Sequence, residues 1–314
     1  MRARGMRADA GDHEMSARAD IPAPHPANPL VAAVWMLGAV ASFTSMAVAG
    51  RAVSLSLDTF EIMAWRSLVG IAIVGGLITL RGRWHVVNLR DPGLHLARNI
   101  CHFTAQNLWF FAIFSIPLAQ VFALEFTAPL WALVLSRFFL GERWTQARMI
   151  AAALGFAGIL LVARPGAAPL TPGLIAAAGS AVGFALTYIL TKQLTARVGV
   201  ACILWWMTVM QAVLGFLLAG LDGDVALPSG QTALWIALIG GAGLTAHFCI
   251  ANALRLAPAT LVMPFDFLRL PVIALVGMVF YDEPIGPLVI LGATLILTGN
   301  YFNIRAEARR RAAV

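Results

Sequence analysis

An all-α membrane protein of ten transmembrane helices, built as two inverted five-helix repeats, is the fold class this 314-residue sequence predicts. Three observations carry it. Hydrophobic residues make up 60% of the chain and charged residues only 12%, where soluble domains carry about 25% charged residues. Ten stretches approach the roughly 20 apolar residues that a spanning helix requires. They lie near 30–49, 60–80, 94–114, 117–138, 147–163, 172–191, 200–219, 231–252, 258–280 and 285–304. Finally, the chain resembles itself at a fixed offset of 141 residues. Five spans per repeat is an odd number, so the second copy inserts upside down relative to the first, the architecture of secondary transporters.

The elements follow in order. The first 28 residues are rich in Arg, Asp, Ala and Pro and lack apolar periodicity, which reads as a disordered cytoplasmic tail. Met6 and Met15 are alternative starts. Ala47-Val48-Ala49 looks like a signal-peptidase site, but its span matches an internal helix at 172–191, so retention is expected. Residues 29–164 form the first repeat (helices 1–5) and 171–305 the second (helices 6–10), with 306–314 a cytoplasmic tail. Breakers at Arg164-Pro165-Gly166 and Thr171-Pro172-Gly173 separate the repeats.

The weight of the repeat lies in scarce residue types that coincide without a gap. Trp65 matches Trp206, Pro117 matches Pro258, Glu125 matches Asp266, and Glu142 matches Glu283. Arg51 matches Lys192, Phe43 matches Phe184 and Gly38 matches Gly179. Small residues share single helix faces, as at Gly179 and Gly183 or Gly155 and Gly158, the spacing that lets helices approach closely in lipid.

Net charge is +7, and its distribution gives the orientation. With the N-terminus inside, 18 of the 22 basic residues fall on the cytoplasmic side, and Arg66 and Arg269 lie within spans. The positive-inside rule then puts both termini in the cytoplasm, and the expected location is the inner membrane of a bacterium. The basic balance is an orientation signal, with anionic lipid contact as its accompaniment; no nucleic-acid partner is expected. Cys101, Cys202 and Cys249 are far apart inside spans and read as packing residues, not as metal ligands or disulfides.

Ionisable groups deep in spans are the sharpest functional signals, because one facing lipid costs about 2.5–3.5 kcal/mol or more. Glu125 in the fourth span and Asp266 in the ninth occupy matching places, and Arg269 follows Asp266 at i, i+3, where the two can pair. These three are the expected solute- or ion-binding centre. A structural ion-pair network locking the two helices is the competing reading. Pro129, Pro264 and Pro271 are expected to kink those helices at the cavity. In the third span Arg98, His102, Gln106 and Trp109 form a polar stripe. His102 and Gln106 are candidate solute contacts, as is His247, which matches Gln106. Arg98 is expected to snorkel to the surface. Tyr188, Ser42 and Ser45 are further cavity candidates. Arg66, five residues after Glu61, reads as a tether within the second helix.

No catalytic residue, metal site or cofactor is expected. Two histidines without carboxylate or Cys spacing do not make a zinc site, and no Walker A sequence is present. A mid-span Schiff base is excluded because Lys192, the sole lysine, sits at a helix end.

The chain resembles the EamA type of the drug/metabolite transporter superfamily. The resemblance rests on Pro117-Leu118-Ala119-Gln120 through Thr127-Ala128-Pro129-Leu130-Trp131 to Leu140-Gly141-Glu142. Its second copy runs from Ala257-Pro258-Ala259-Thr260 through Leu270-Pro271-Val272 to Tyr281-Asp282-Glu283. Asp282 departs from the glycine usual there. The resemblance implies a cavity built by helices 1, 3, 4, 6, 8 and 9, with helices 5 and 10 peripheral, and transport of small organic solutes, often by export. The expected function is therefore secondary transport of a small metabolite by alternating access. The solute is expected to be charged or zwitterionic, such as an amino acid or drug-like compound, and to be exported. Import of a metabolite or vitamin is the alternative, and a membrane enzyme or receptor a remoter one. Proton coupling and uncoupled exchange both fit, as do a monomer and a homodimer.

Overall fold

The computed structural model describes residues 28–53, 56–116, 118–141, 144–163, 171–221, 223–281 and 287–312. Expectations attached to the tail before Asn28, to Pro117, Glu142, Asp282 and Glu283, and to the 164–170 link lie outside them.

Apolar runs bounded by caps and breakers give α1 (Pro29–Val53), α2 (Thr59–Leu80), α3 (Pro92–Ser115), α4 (Leu118–Glu125), α5 (Ala128–Phe139) and α6 (Gln146–Ala163). The second copy gives α7 (Pro172–Thr195), α8 (Val200–Ala219), α9 (Gly230–Leu256), α10 (Ala259–Val262), α11 (Arg269–Tyr281) and α12 (Pro287–Ala312). Local chemistry sets the ends. Asp58 and Glu61 form a reciprocal capping box at the start of α2. Thr171 caps α7, with Pro172 at its first position. The tenth rod continues to Ala312, so the stretch from 306 prolongs α12 as helix.

Two of the expected spans are not continuous. The fourth is interrupted at Phe126-Thr127, between α4 and α5. The ninth passes from α10 through a 3₁₀ segment, Met263–Leu268, into α11. The prolines act as starters of new segments and do not kink an unbroken helix. Pro129 lies in the first turn of α5, Pro264 in the first turn of the 3₁₀ segment, and Pro271 is the third residue of α11. That placement has a simple cause: a first turn has no intrahelical partner for its N–H groups, so proline costs nothing there. Among the described residues, five helices (α1 through Gly50, α2, α7, α8 and α9) are unbroken, long and apolar enough to cross a membrane.

Within a largely apolar core the interior also holds many polar groups, and the outer surface carries large apolar side chains. His95, Arg98, Asn99, His102 and Gln106 of α3 are buried, while Leu30, Val34 and Leu37 of α1 and Val213 and Leu217 of α8 are exposed. Water would not tolerate that arrangement; lipid does.

Helix packing follows the repeat. α1 pairs with α9 and α3 with α7, while α2 pairs with α8 and α6 with α12. A shift of 141 residues turns the α1 contact with α9 into the α7 contact with α3, and maps the other two pairs onto themselves. The repeats are thus related by a pseudo-twofold axis. The matched tryptophans show the relative direction of the mates. Trp65, near the start of α2, donates to the Ala226 carbonyl in the segment after α8 (2.9 Å). Trp206, near the start of α8, donates to the Asn88 carbonyl in the segment after α2 (2.8 Å). Each helix therefore begins where its mate ends, and α2 and α8 run antiparallel. At Gly183, a Cβ would lie 2.8 Å from that of Ala105, so the contact of α7 with α3 requires the missing side chain.

Candidate functional site

The polar groups of the interior converge where the two interrupted rods meet. Glu125 ends α4, Asp266 sits in the 3₁₀ segment, and Arg269 opens α11. The Arg269 guanidinium donates to both carboxylates, to a Glu125 oxygen and to Asp266 Oδ2 at 3.1 Å. All three are buried, with Arg269 only 2% exposed. Three aromatic faces enclose the same guanidinium: Phe43 and Phe126 at 5.0 Å and Phe122 at 6.0 Å from its central carbon. A cation held by two carboxylates and ring faces is far better placed than one left in hydrocarbon. The other Glu125 oxygen accepts from Trp109 Nε1 (2.6 Å), and the Tyr188 hydroxyl donates to Asp266 (3.4 Å).

A second cluster lies beside it. Arg98 is buried and does not snorkel: it bonds Thr191 (3.3 Å), Asn99 (2.9 Å) and His247 Nδ1 (3.3 Å). Asn99, Thr191 and His247 hold it inside, so length alone did not take it to the surface. His247 Nε2 stands 2.6 Å from His102 Nε2. Hydrogen-bond polarity orders this chain. Arginine can only donate, so His247 Nδ1 accepts, its Nε2–H donates to His102, and His102 carries its proton on Nδ1. That Nδ1 has no partner among the described residues, and neither do Gln106 Nε2, Arg269 Nε or Asp266 Oδ1.

These four atoms belong to residues lining a cavity of about 30 Å³ between the repeats, room for one or two waters. Its composition reflects the pseudo-twofold. Phe43 and Phe184, Met46 and Thr187, Gln106 and His247, Trp109 and Ile250, Glu125 and Asp266, and Ala128 and Arg269 are lining residues 141 positions apart. The cavity sits on the axis. The last pair breaks the symmetry: where the first repeat places alanine, the second supplies the cation.

The structure brings Glu125, Asp266, Arg269, His102, Gln106 and His247 together around this cavity, with Tyr188. It does not bring Ser42 or Ser45 there; Ser45 is exposed and bonds the Ala41 carbonyl of its own helix. Nor does Arg66 pair with Glu61. Arg66 reaches Gln211 of α8 (2.7 Å), while Glu61 accepts from the Asp58 and Ala226 amides (2.8 and 2.5 Å). Five residues of helix put the two side chains on different faces. Phe43, Met46, Phe184, Thr187 and Thr191 were not picked out as liners from the sequence. For all but Thr191, the offset of 141 was the signal that could have done so.

A buried polar centre on interrupted helices, shared between two structural repeats inside an apolar shell, defines a membrane transporter. Comparison with known proteins agrees. The EamA-like transporter family matches residues 30–164 and again 171–305, and the chain belongs to that family. It is a transporter of small metabolites and not an enzyme. It is 30% identical over 292 residues to a riboflavin transporter of Rhizobium johnstonii, covering 91% of this chain and 94% of that one. To a riboflavin transporter of Vibrio cholerae it is 28% identical over 289 residues, covering 90% and 96%. A protein named S-adenosylmethionine uptake transporter, from Rickettsia felis, is 22% identical over 275 residues, covering 88% and 92%. A solved crystal structure superposes with a TM-score of 0.73 at 20% identity over 90% of this chain and 99% of that one, a likeness of fold. These names give no support to the export direction expected from the sequence.

Proposed function

We propose that this protein takes up a flat, ring-bearing metabolite of the riboflavin kind across the bacterial inner membrane by alternating access. The observation that carries the reading is the set of unpartnered polar atoms in the cavity. His102 Nδ1–H, Gln106 Nε2 and Arg269 Nε–H are donors, and Asp266 Oδ1 is an acceptor. They stand among the rings of Phe43, Phe184, Trp109 and Tyr188. A flavin offers a matching edge, two carbonyl acceptors flanking one N–H donor, on a plane that stacks against aromatic faces. The direction rests on the relatives named for uptake.

A cavity of about 30 Å³ excludes such a solute until the repeats part. Among the bonds that cross between repeats, those that close the cavity and must open are Glu125 with Arg269, and His102 with His247. Solute contacts to Arg269, Asp266 and His102 replace part of what those bonds supply, so a loaded carrier can reorient at lower cost than an empty one. The interrupted rods provide the joints. The antiparallel mates α2 and α8 support a repeat pair inverted across the bilayer, with both termini cytoplasmic by the charge asymmetry. Glu125 and Asp266 are candidates to carry a coupled proton.

The test is uptake of labelled riboflavin by a bacterial strain unable to make or import it, expressing the wild type or Asp266→Asn. Unlabelled riboflavin and S-adenosylmethionine serve as separate competitors. Uptake that is lost in Asp266→Asn and blocked by riboflavin alone supports the proposal. Block by S-adenosylmethionine alone would reassign the solute, and net efflux of preloaded label without uptake would reverse the direction.

A further inference from the structure

We propose that a cleft at one end of α2, α8 and α9, distinct from the central cavity, is a binding site for an anionic phospholipid. Three separate turns of chain bring arginines to its mouth. Arg81 follows α2, Arg83 and Arg90 lie between α2 and α3, Arg197 precedes α8, and Arg255 is in the last turn of α9. The cleft has a volume of about 760 Å³, and none of its lining residues is an aspartate or glutamate. Arg197 is engaged by Asp91 at 2.9 Å. Arg81, Arg83, Arg90 and Arg255 have no carboxylate partner among the described residues. Five like charges gathered around one opening repel each other unless an anion joins them.

The other half of the cleft is apolar and faces outward. Ile73, Leu77 and Phe248 line it and remain 38%, 49% and 41% exposed. Trp84 stands beside the mouth, packed edge-on against Trp205 with ring centroids 5.0 Å apart, and tryptophans of this kind mark the headgroup level of a bilayer. Charge at the headgroup level over an apolar wall at acyl-chain depth matches one molecule with both properties. Basic pockets between helices on the cytoplasmic side bind acidic headgroups, at about a five-fold gain in affinity per arginine. A free anionic solute would satisfy the arginines but leave the apolar wall without a partner. The lipid would join α2 of the first repeat to α8 and α9 of the second on one side of the membrane.

The experiment uses the full-length protein, purified in detergent and stripped of lipid. It is titrated with phosphatidylglycerol or with phosphatidylcholine of identical acyl chains, and bound lipid is counted by native mass spectrometry. The wild type is expected to retain phosphatidylglycerol and not phosphatidylcholine. Arg83→Gln with Arg255→Gln is expected to weaken retention about 25-fold. The charge-matched control Arg137→Gln with Arg309→Gln, both exposed positions outside the cleft, leaves it unchanged. If the double variant does not fold, Arg83→Gln alone, at an exposed loop position, is expected to weaken retention about five-fold. Equal retention of the two lipids, or equal retention by wild type and cleft variant, overturns the proposal. So does displacement of the lipid by millimolar inorganic phosphate, which would identify the site as one for a free anion.

Discussion

Replacing Arg269 with glutamine tests whether the centre between the repeats is structural, functional or both. The guanidinium holds Glu125 and Asp266 at once, and their side chains are only 5% and 6% exposed. Glutamine leaves two buried carboxylates side by side with no cation. Removing one partner of a buried pair costs about 3–5 kcal/mol, a large part of a total stability of about 5–15 kcal/mol. At about 2–4 °C per kcal/mol, the melting temperature should fall by roughly 6–20 °C. Thermal unfolding of the detergent-purified protein measures that, and initial rates of riboflavin uptake measure function. The triple variant Glu125→Gln, Asp266→Asn, Arg269→Met separates the two effects, because it leaves no charge at this centre. Its melting temperature should return most of the way to the wild-type value while uptake stays absent. An Arg269→Gln protein as stable as the wild type would refute the energetic argument. A triple variant that still transports would remove the triad from solute handling.

Four further outcomes are expected. Trp109→Phe deletes the donor to Glu125 (2.6 Å) and should cost about 1.5–3 kcal/mol with a fall in uptake; unchanged unfolding and uptake would show the bond idle. A Cβ at Gly155 would lie 2.2 Å from the Phe267 ring, one residue from Asp266. Gly155→Ala should therefore destabilise by about 1–3 kcal/mol and slow uptake, with Phe267→Leu as the second change that restores it. His247→Phe removes the acceptor of Arg98 and the donor of His102. A buried group left unsatisfied costs about 1–3 kcal/mol, and a melting temperature equal to the wild type's would contradict the ordered chain. Trp65→Phe and Trp206→Phe each cut one cross-repeat tether, at about 1 kcal/mol. Being far apart, their effects should add to within about 0.5 kcal/mol in the double variant, and a large coupling would argue against two independent tethers.

Different parts of the molecule were legible in the sequence to different degrees. Long apolar runs placed α2 and α8 almost to the residue, because burial in lipid demands unbroken hydrogen bonding along each rod. They also set the start of α7 at Pro172, although α7 runs on past 191 to Thr195. The fourth and ninth rods were harder. Their prolines signalled trouble, but proline in a first turn and proline inside a helix look alike in one dimension. What distinguishes them is whether the preceding residues, here Phe126-Thr127 and Met263–Leu268, find other hydrogen-bond partners. Arg98 illustrates the same limit. Counting residues put it near a helix end, yet Thr191 and His247, from two helices of the other repeat, draw it inward.

The amino-acid string by itself determined that the chain crosses a membrane, that it is built twice, and which residues occupy equivalent places in the two copies. Those are properties of composition and periodicity, and they survive any particular packing. Only the tertiary structure decided that Arg269 reaches across to Glu125, 144 residues away, that His102 meets His247, and that six matched pairs close around one small cavity. Side chains on different helices acquire neighbours only when ridges and small residues set how the helices lie together, and no local pattern encodes that distance.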